Sequence, residues 1–253
     1  MVVARPTPRE VRNFIGVDGY MLPHAVDDRC TCMGTFWTGT IDHACTAWVS
    51  QMMFDYANNS GDTAFLRDTA FPFTKGVFAV YRAMLEDHGD QLRLPVSVSP
   101  EYRGANMNAW RVNASFQLAA IHRLCLNLNA AAEVLKENAN PSWNDVARRL
   151  PSATLTPDGE RIALWEGVDL EESHRHRSHL AGVAPFDTLD PFGDDWREVI
   201  ERTLRHWIGA GMGLWSGSRS NGCGPPIDQL CFTSAGCVTP CTDSLGRDSL
   251  WYD

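Results

Sequence analysis

Two short stretches carry residue types suited to acid–base chemistry on a hydroxyl-rich substrate. The first, Leu94-Pro95-Val96-Ser97-Val98-Ser99-Pro100-Glu101-Tyr102, ends by presenting a single carboxylate. Pro100 fixes its own φ and biases Ser99 towards an extended backbone, so Glu101 is held stiffly. A lone acid on a rigid loop suits a catalytic proton donor; a solvated Glu on a surface turn is the competing reading. The second stretch, His174-Arg175-His176-Arg177-Ser178-His179, is the densest polar cluster in the chain. It reads as a ligand-binding loop, a solvated basic loop or a metal site. The histidine spacing speaks against the last, because it matches neither His-Glu-x-x-His nor a zinc finger. Arginine and histidine donors suit hydroxyl groups, or hold a catalytic carboxylate in place.

Two further residues belong with these. Glu166 is either a second catalytic carboxylate or the partner of a nearby arginine, and pairing is the favoured reading. Trp37 either stacks on a sugar ring or packs in the core. Arg103, close to Glu101 in sequence, would lower its pKa unless the guanidinium points elsewhere. Glycoside hydrolysis needs two carboxyl functions flanking the bond, and an inverting enzyme leaves room between them for a water.

Helices must position these loops. The spacing predicts a short helix over residues 8–14, then a polar and aromatic loop over 24–40. Thr40 is expected to cap a helix over 41–57, with Ile41, Cys45, Trp48, Met52 and Tyr56 inward and Val49 and Met53 widening that face. Asn58-Asn59-Ser60-Gly61-Asp62 is a turn and a fresh N-cap. Helices follow to about residue 68 and over 72–85. The longest predicted helix spans 108–135, with Ala114, Leu118, Ile121, Cys125, Leu128, Ala132 and Leu135 on one face. A short helix over 143–150, a hairpin around Pro157-Asp158-Gly159 and a helix over 196–207 complete the pattern. Strand–helix alternation, a Gly-rich phosphate loop and repeats are all absent from the sequence.

The chain has 253 residues, 44% of them hydrophobic, enough for a sizeable core. Its formal net charge of -9 argues against nucleic acid or an anionic membrane surface as partner. The first ten residues lack the apolar core of a signal peptide, and no run of apolar residues is long enough to span a membrane. Cys30, Cys32, Cys45 and Cys125 look like ordinary thiols. Cys223, Cys231, Cys237 and Cys241 crowd into the tail at spacings that fit no zinc pattern. No cofactor and no metal are expected.

The motifs, taken in order, resemble glycoside hydrolase family 95, the inverting α-L-fucosidases and α-L-galactosidases. Four stretches carry the likeness: Phe36-Trp37-Thr38-Gly39 leading into a buried helix, Asn59-Ser60-Gly61-Asp62-Thr63-Ala64-Phe65-Leu66, Ser97-Val98-Ser99-Pro100-Glu101, and His174-Arg175-His176-Arg177-Ser178-His179-Leu180. The resemblance runs from about residue 20 to 216. It implies a mainly all-α fold, an (α/α)6 barrel, incomplete here, with long polar loops and one small β-hairpin. It implies Glu101 as the general acid, Arg175 and His176 in contact with the terminal sugar, Trp37 lining the same pocket, and a fucosylated or galactosylated glycan as substrate.

The departures shape the expectation. The family's Asn-x-Asn motif is not found before residue 24. Its catalytic aspartate follows a Gly-Trp-Ser segment; Gly213-Leu214-Trp215-Ser216-Gly217 resembles that segment, and the likeness stops there. Asp228 does not match the missing base. Residues 1–216 are therefore expected to form part of a catalytic domain and 217–253 an irregular tail. The 253 residues alone are expected to show weak activity or none. The alternative is a carbohydrate-binding remnant that holds sugar without cleaving it, and a metal-dependent hydrolase built on the histidines is a third reading.

Overall fold

The computed structural model describes residues 8–25, 27–29, 42–100, 102–104, 106–171, 174, 176–209, 230–232 and 238–240. The fold is mainly helical. The described helices are α1 (Pro8–Ile15), α2 (Ala44–Ser60), α3 (Thr63–Phe65), α4 (Phe71–Met84), α5 (Ser115–Leu135), α6 (Pro141–Arg149) and α7 (Arg197–Gly209), with short two-stranded antiparallel pieces between α4 and α5 and after α7. These pair β1 (Glu86–His88) with β2 (Gln91–Arg93), β3 (Ser97–Val98) with β4 (Trp110–Arg111), and β5 (Leu230–Phe232) with β6 (Val238–Pro240). Helices α2, α4 and α5 pack against one another and α6 lies on α5; among the described residues the helices do not close into a ring.

Small residues let α2 approach its neighbours. Its buried positions are Ala44, Thr46, Ala47, Ser50, Met53, Phe54 and Ala57. Ser50 hydrogen bonds the Thr74 hydroxyl of α4 at 2.6 Å, and Thr74 donates to the Ala70 carbonyl, so neither hydroxyl is buried unpaired. The inward face differs from the predicted one: Trp48, Met52 and Tyr56 are exposed. Trp48 instead lies edge-on to Phe116 and Phe186 at the rim, and Tyr56 edge-on to Phe65. The helix begins at Ala44, whose N–H is accepted by the Asp42 carboxylate; Thr40 lies outside the described residues.

Asp62 caps α3 through the Phe65 N–H at 2.8 Å, as the turn sequence predicts. A π turn (Leu66–Ala70) then joins α3 to α4, with the Phe71 N–H reaching the Leu66 carbonyl. Pro72 has no N–H to give and its ring crowds the carbonyl four residues earlier, which the wider turn relieves. The glycine at 76 is needed for a close approach: the Tyr20 N–H donates to its carbonyl at 3.3 Å, and a Cβ there would stand 2.4 Å from the Tyr20 ring.

The longest helix starts later than predicted. Residues 108–114 form β4 and a turn, with Asn113 at φ 55°. Asn113 earns that backbone by bonding Leu94 both ways: its side-chain oxygen accepts from the Leu94 N–H at 2.8 Å, and its own N–H donates to the Leu94 carbonyl. From Ser115 onward Leu118, Ile121, Cys125, Leu128 and Ala132 are buried as the periodicity predicts. Asn140 caps α6, its side-chain oxygen accepting from the Ser142 N–H at 2.9 Å.

Candidate functional site

The 94–102 loop is built into the sheet edge before it reaches its acid. Ser97 pairs with Arg111 and Val98 with Trp110. The Ser97 hydroxyl donates to the Arg111 carbonyl and accepts from the Ala114 N–H, each at 2.7 Å. The buried Trp165 indole N–H donates to the Ser97 carbonyl at 3.0 Å. Trp165 thus forms a floor beneath the loop, in an apolar cluster with Tyr102, Ala114, Leu164, Leu170 and Trp207.

The same floor carries the histidine-rich segment. Tyr102 is buried, 5.7 Å from the Trp165 ring and 5.4 Å, edge-on, from His174. Its phenol oxygen accepts from the Glu171 N–H at 3.0 Å. Ser99 and Ser178, both buried, hydrogen bond hydroxyl to hydroxyl. Arg103 is engaged by Glu171 at 2.9 Å, so its guanidinium has a carboxylate partner other than Glu101. Two stretches far apart in sequence therefore meet through side chains that flank position 101 and positions 174–178.

His176 is half-buried, with its ring 5.3 Å from that of His174; its N–H lies 3.2 Å from His174 Nδ1. Glu101, Trp37 and Arg175 lie outside the described residues, and so does the predicted Trp37 loop apart from its first few positions. His179 is fully buried in the short 3-10 turn (Ser178–Leu180), with neither ring nitrogen bonded, and burial holds its pKa down at about 4. It therefore serves the packing as a neutral ring.

Glu166 is the partner of an arginine. It pairs with Arg93 and accepts from Asn113 Nδ2 at 3.2 Å, half-exposed at the base of the loop. No three His, Cys, Asp or Glu side chains among the described residues converge on a point that would hold a metal.

A second polar group sits at the start of α2. Asp42 is buried; burial pushes its carboxyl up, against hydrogen bonds from Ala44 and Gln117 and the charge of His24 at 3.5 Å. The adjacent His43 has both nitrogens unpartnered and its pKa lowered to about 4 by burial. The sequence reading missed Tyr102, Trp165 and this group. Tyr102 carried a signal, since an aromatic next to the acid of a docked loop must bury somewhere. The recurring serines of both motifs, Ser99 and Ser178, carried another.

A family model, the Glycosyl hydrolase family 95 catalytic domain, matches residues 3–221. No curated protein matches the chain.

Proposed function

The chain belongs to glycosyl hydrolase family 95, a catalytic domain of glycoside hydrolases acting on carbohydrate, and from that premise we propose that it removes a terminal α-L-fucose or α-L-galactose from glycans with inversion. Residues 1–216 are assigned the catalytic part in this reading. The observation that carries the reading is the junction described above: the loop ending in Glu101 and the segment bearing Arg175 and His176 are joined at Ser99, Ser178, Tyr102 and His174. Glu101 then lies in chain order between two anchored residues, and His176 belongs to the opposite side of the same junction.

In this mechanism Glu101 gives its proton to the glycosidic oxygen as the bond to the anomeric carbon breaks. A water on the opposite face attacks that carbon and passes its proton to a base. The two carboxyl functions of such a pair stand roughly 6.5–9.5 Å apart. Arg175 and His176 orient the sugar hydroxyls as hydrogen-bond donors, and Trp37 lines the pocket. Arg103, two residues after the acid in sequence, is paired with Glu171.

A second reading is a domain that binds sugar without cleaving it: no Asn-x-Asn motif precedes residue 24, and Asp228 does not match the family's catalytic aspartate. Turnover of aryl α-L-fucosides and α-L-galactosides separates the two. Hydrolysis abolished by Glu101→Gln, with the inverted anomer seen first by NMR, supports the enzyme. Sugar binding without turnover supports the second reading, and turnover retained in Glu101→Gln overturns the assignment of the acid.

A further inference from the structure

Position 101 is bracketed in sequence by residues that reach across to the histidine-rich segment. Ser99, two residues before it, bonds Ser178 over a sequence separation of 79. Tyr102, immediately after it, receives the Glu171 N–H and packs edge-on against His174. The contrast within the loop is informative. The Ser97 hydroxyl is consumed inside its own β3–β4 pair, bonding Arg111 and Ala114. The Ser99 hydroxyl serves the crossing to Ser178 instead.

We propose that the Ser99/Ser178 hydroxyl pair, assisted by Tyr102, is a positioning device that locks the loop of the general acid to the sugar-binding segment. It rests on the reading of Glu101 and His176 given above. Three physical points support it. Both hydroxyls are buried, so losing one leaves the other without water to replace it. The pair sits over a rigid floor, because Trp165 holds Ser97 through its indole N–H and Tyr102 through ring contact. A proton donor misplaced by about 1 Å loses roughly a hundredfold in rate, so a fixed relation between donor and sugar has a large effect on turnover. Neither serine touches substrate in this scheme; each acts through the segment it holds.

The test uses Ser99→Ala, Ser178→Ala, their combination and Ser178→Thr in the full chain, with Glu101→Gln as control. Amide exchange reads the lock without any need for turnover. Ser99→Ala is expected to speed exchange about tenfold at residues 174–180, and Ser178→Ala likewise at 97–103, with α5 unchanged. The combination should be no faster than either single change. On an aryl glycoside, each Ala variant is expected to lower kcat about tenfold with KM within about twofold, the double variant matching the singles and Ser178→Thr restoring most of the rate. Faster exchange confined to the substituted loop overturns the lock. Cross-loop loosening with kcat unchanged, in a protein that Glu101→Gln inactivates, overturns the catalytic role. So does a rate loss matched by a general fall in Tm and in protection of α5. Turnover that survives Glu101→Gln counts against the assignment of the acid, while the exchange data still judge the lock.

Discussion

His179 is 2% exposed, neither of its ring nitrogens has a partner, and burial lowers its pKa from 6.5 to about 4. The unfolded chain therefore takes up a proton below pH 6.5 that the folded protein refuses until about pH 4. The stability tied to the neutral ring is complete above pH 6.5 and is lost as pH falls through that window. Linkage puts the loss at about 1 kcal/mol at pH 6, about 2 kcal/mol at pH 5 and about 3 kcal/mol at pH 4. His179→Leu removes the titration and two unpartnered nitrogens while keeping a side chain of similar bulk. At pH 7 it is expected to lie within about 1.5 kcal/mol of wild type. Between pH 7 and pH 4 it should lose about 3 kcal/mol less than wild type. Urea unfolding followed by tryptophan fluorescence at pH 7, 6, 5 and 4 measures this, because carboxylate effects are common to both proteins and cancel. Parallel pH profiles for the two proteins would refute the reasoning, since the folded protein would then protonate the ring at no extra cost.

Three other expectations follow from the same structure. His43, buried with its pKa also near 4, should give a comparable flattening in His43→Leu, read in the same unfolding series. Burial raises the Cys45 thiol to about 11 and the Cys125 thiol to about 12. Both should resist iodoacetamide at pH 8 in the native protein and react in urea, as peptide mapping would show; rapid native labelling of Cys125 would contradict its burial. Glu166→Gln should cost less than about 1 kcal/mol in stability, because its ion pair is half-exposed, and leave turnover within about threefold. A loss of turnover as deep as that of Glu101→Gln would return Glu166 to the catalytic pair.

Much of the helical scaffold was legible because burial follows a helical period where one face is large and apolar. Residues Leu118, Ile121, Cys125 and Leu128 are buried as their spacing predicts. The same logic failed in part on α2, where Ala44, Ala47, Ser50 and Ala57 share the interior with Met53 and Phe54 while Trp48, Met52 and Tyr56 stay outside. Close helix packing selects small side chains, and a hydropathy pattern does not register that choice. The start of α5 was misplaced because Asn113 takes a left-handed backbone whose support comes from Leu94, distant in sequence. For the site, the pairing of Glu166 with an arginine was readable from composition. The contacts of Ser99 with Ser178 and of Tyr102 with His174 were not, because they join segments that only the packed helices bring together.

The π turn at Leu66–Ala70 has a consequence for length. Such a turn is an α-helix carrying one surplus residue. Deleting one residue there would restore an ordinary helix and rotate α3 by about 100° relative to α4, while α2 stays held by its packing on α4 and α5. Phe65 would swing off Tyr56, whose ring it meets at 4.9 Å, and the cap at Asp62 would lose its alignment with the end of α2. Residue count is therefore guarded more closely than residue identity between Asp62 and Pro72. A deletion scan set beside a substitution scan of the exposed Arg67 and Asp68 would read that difference directly.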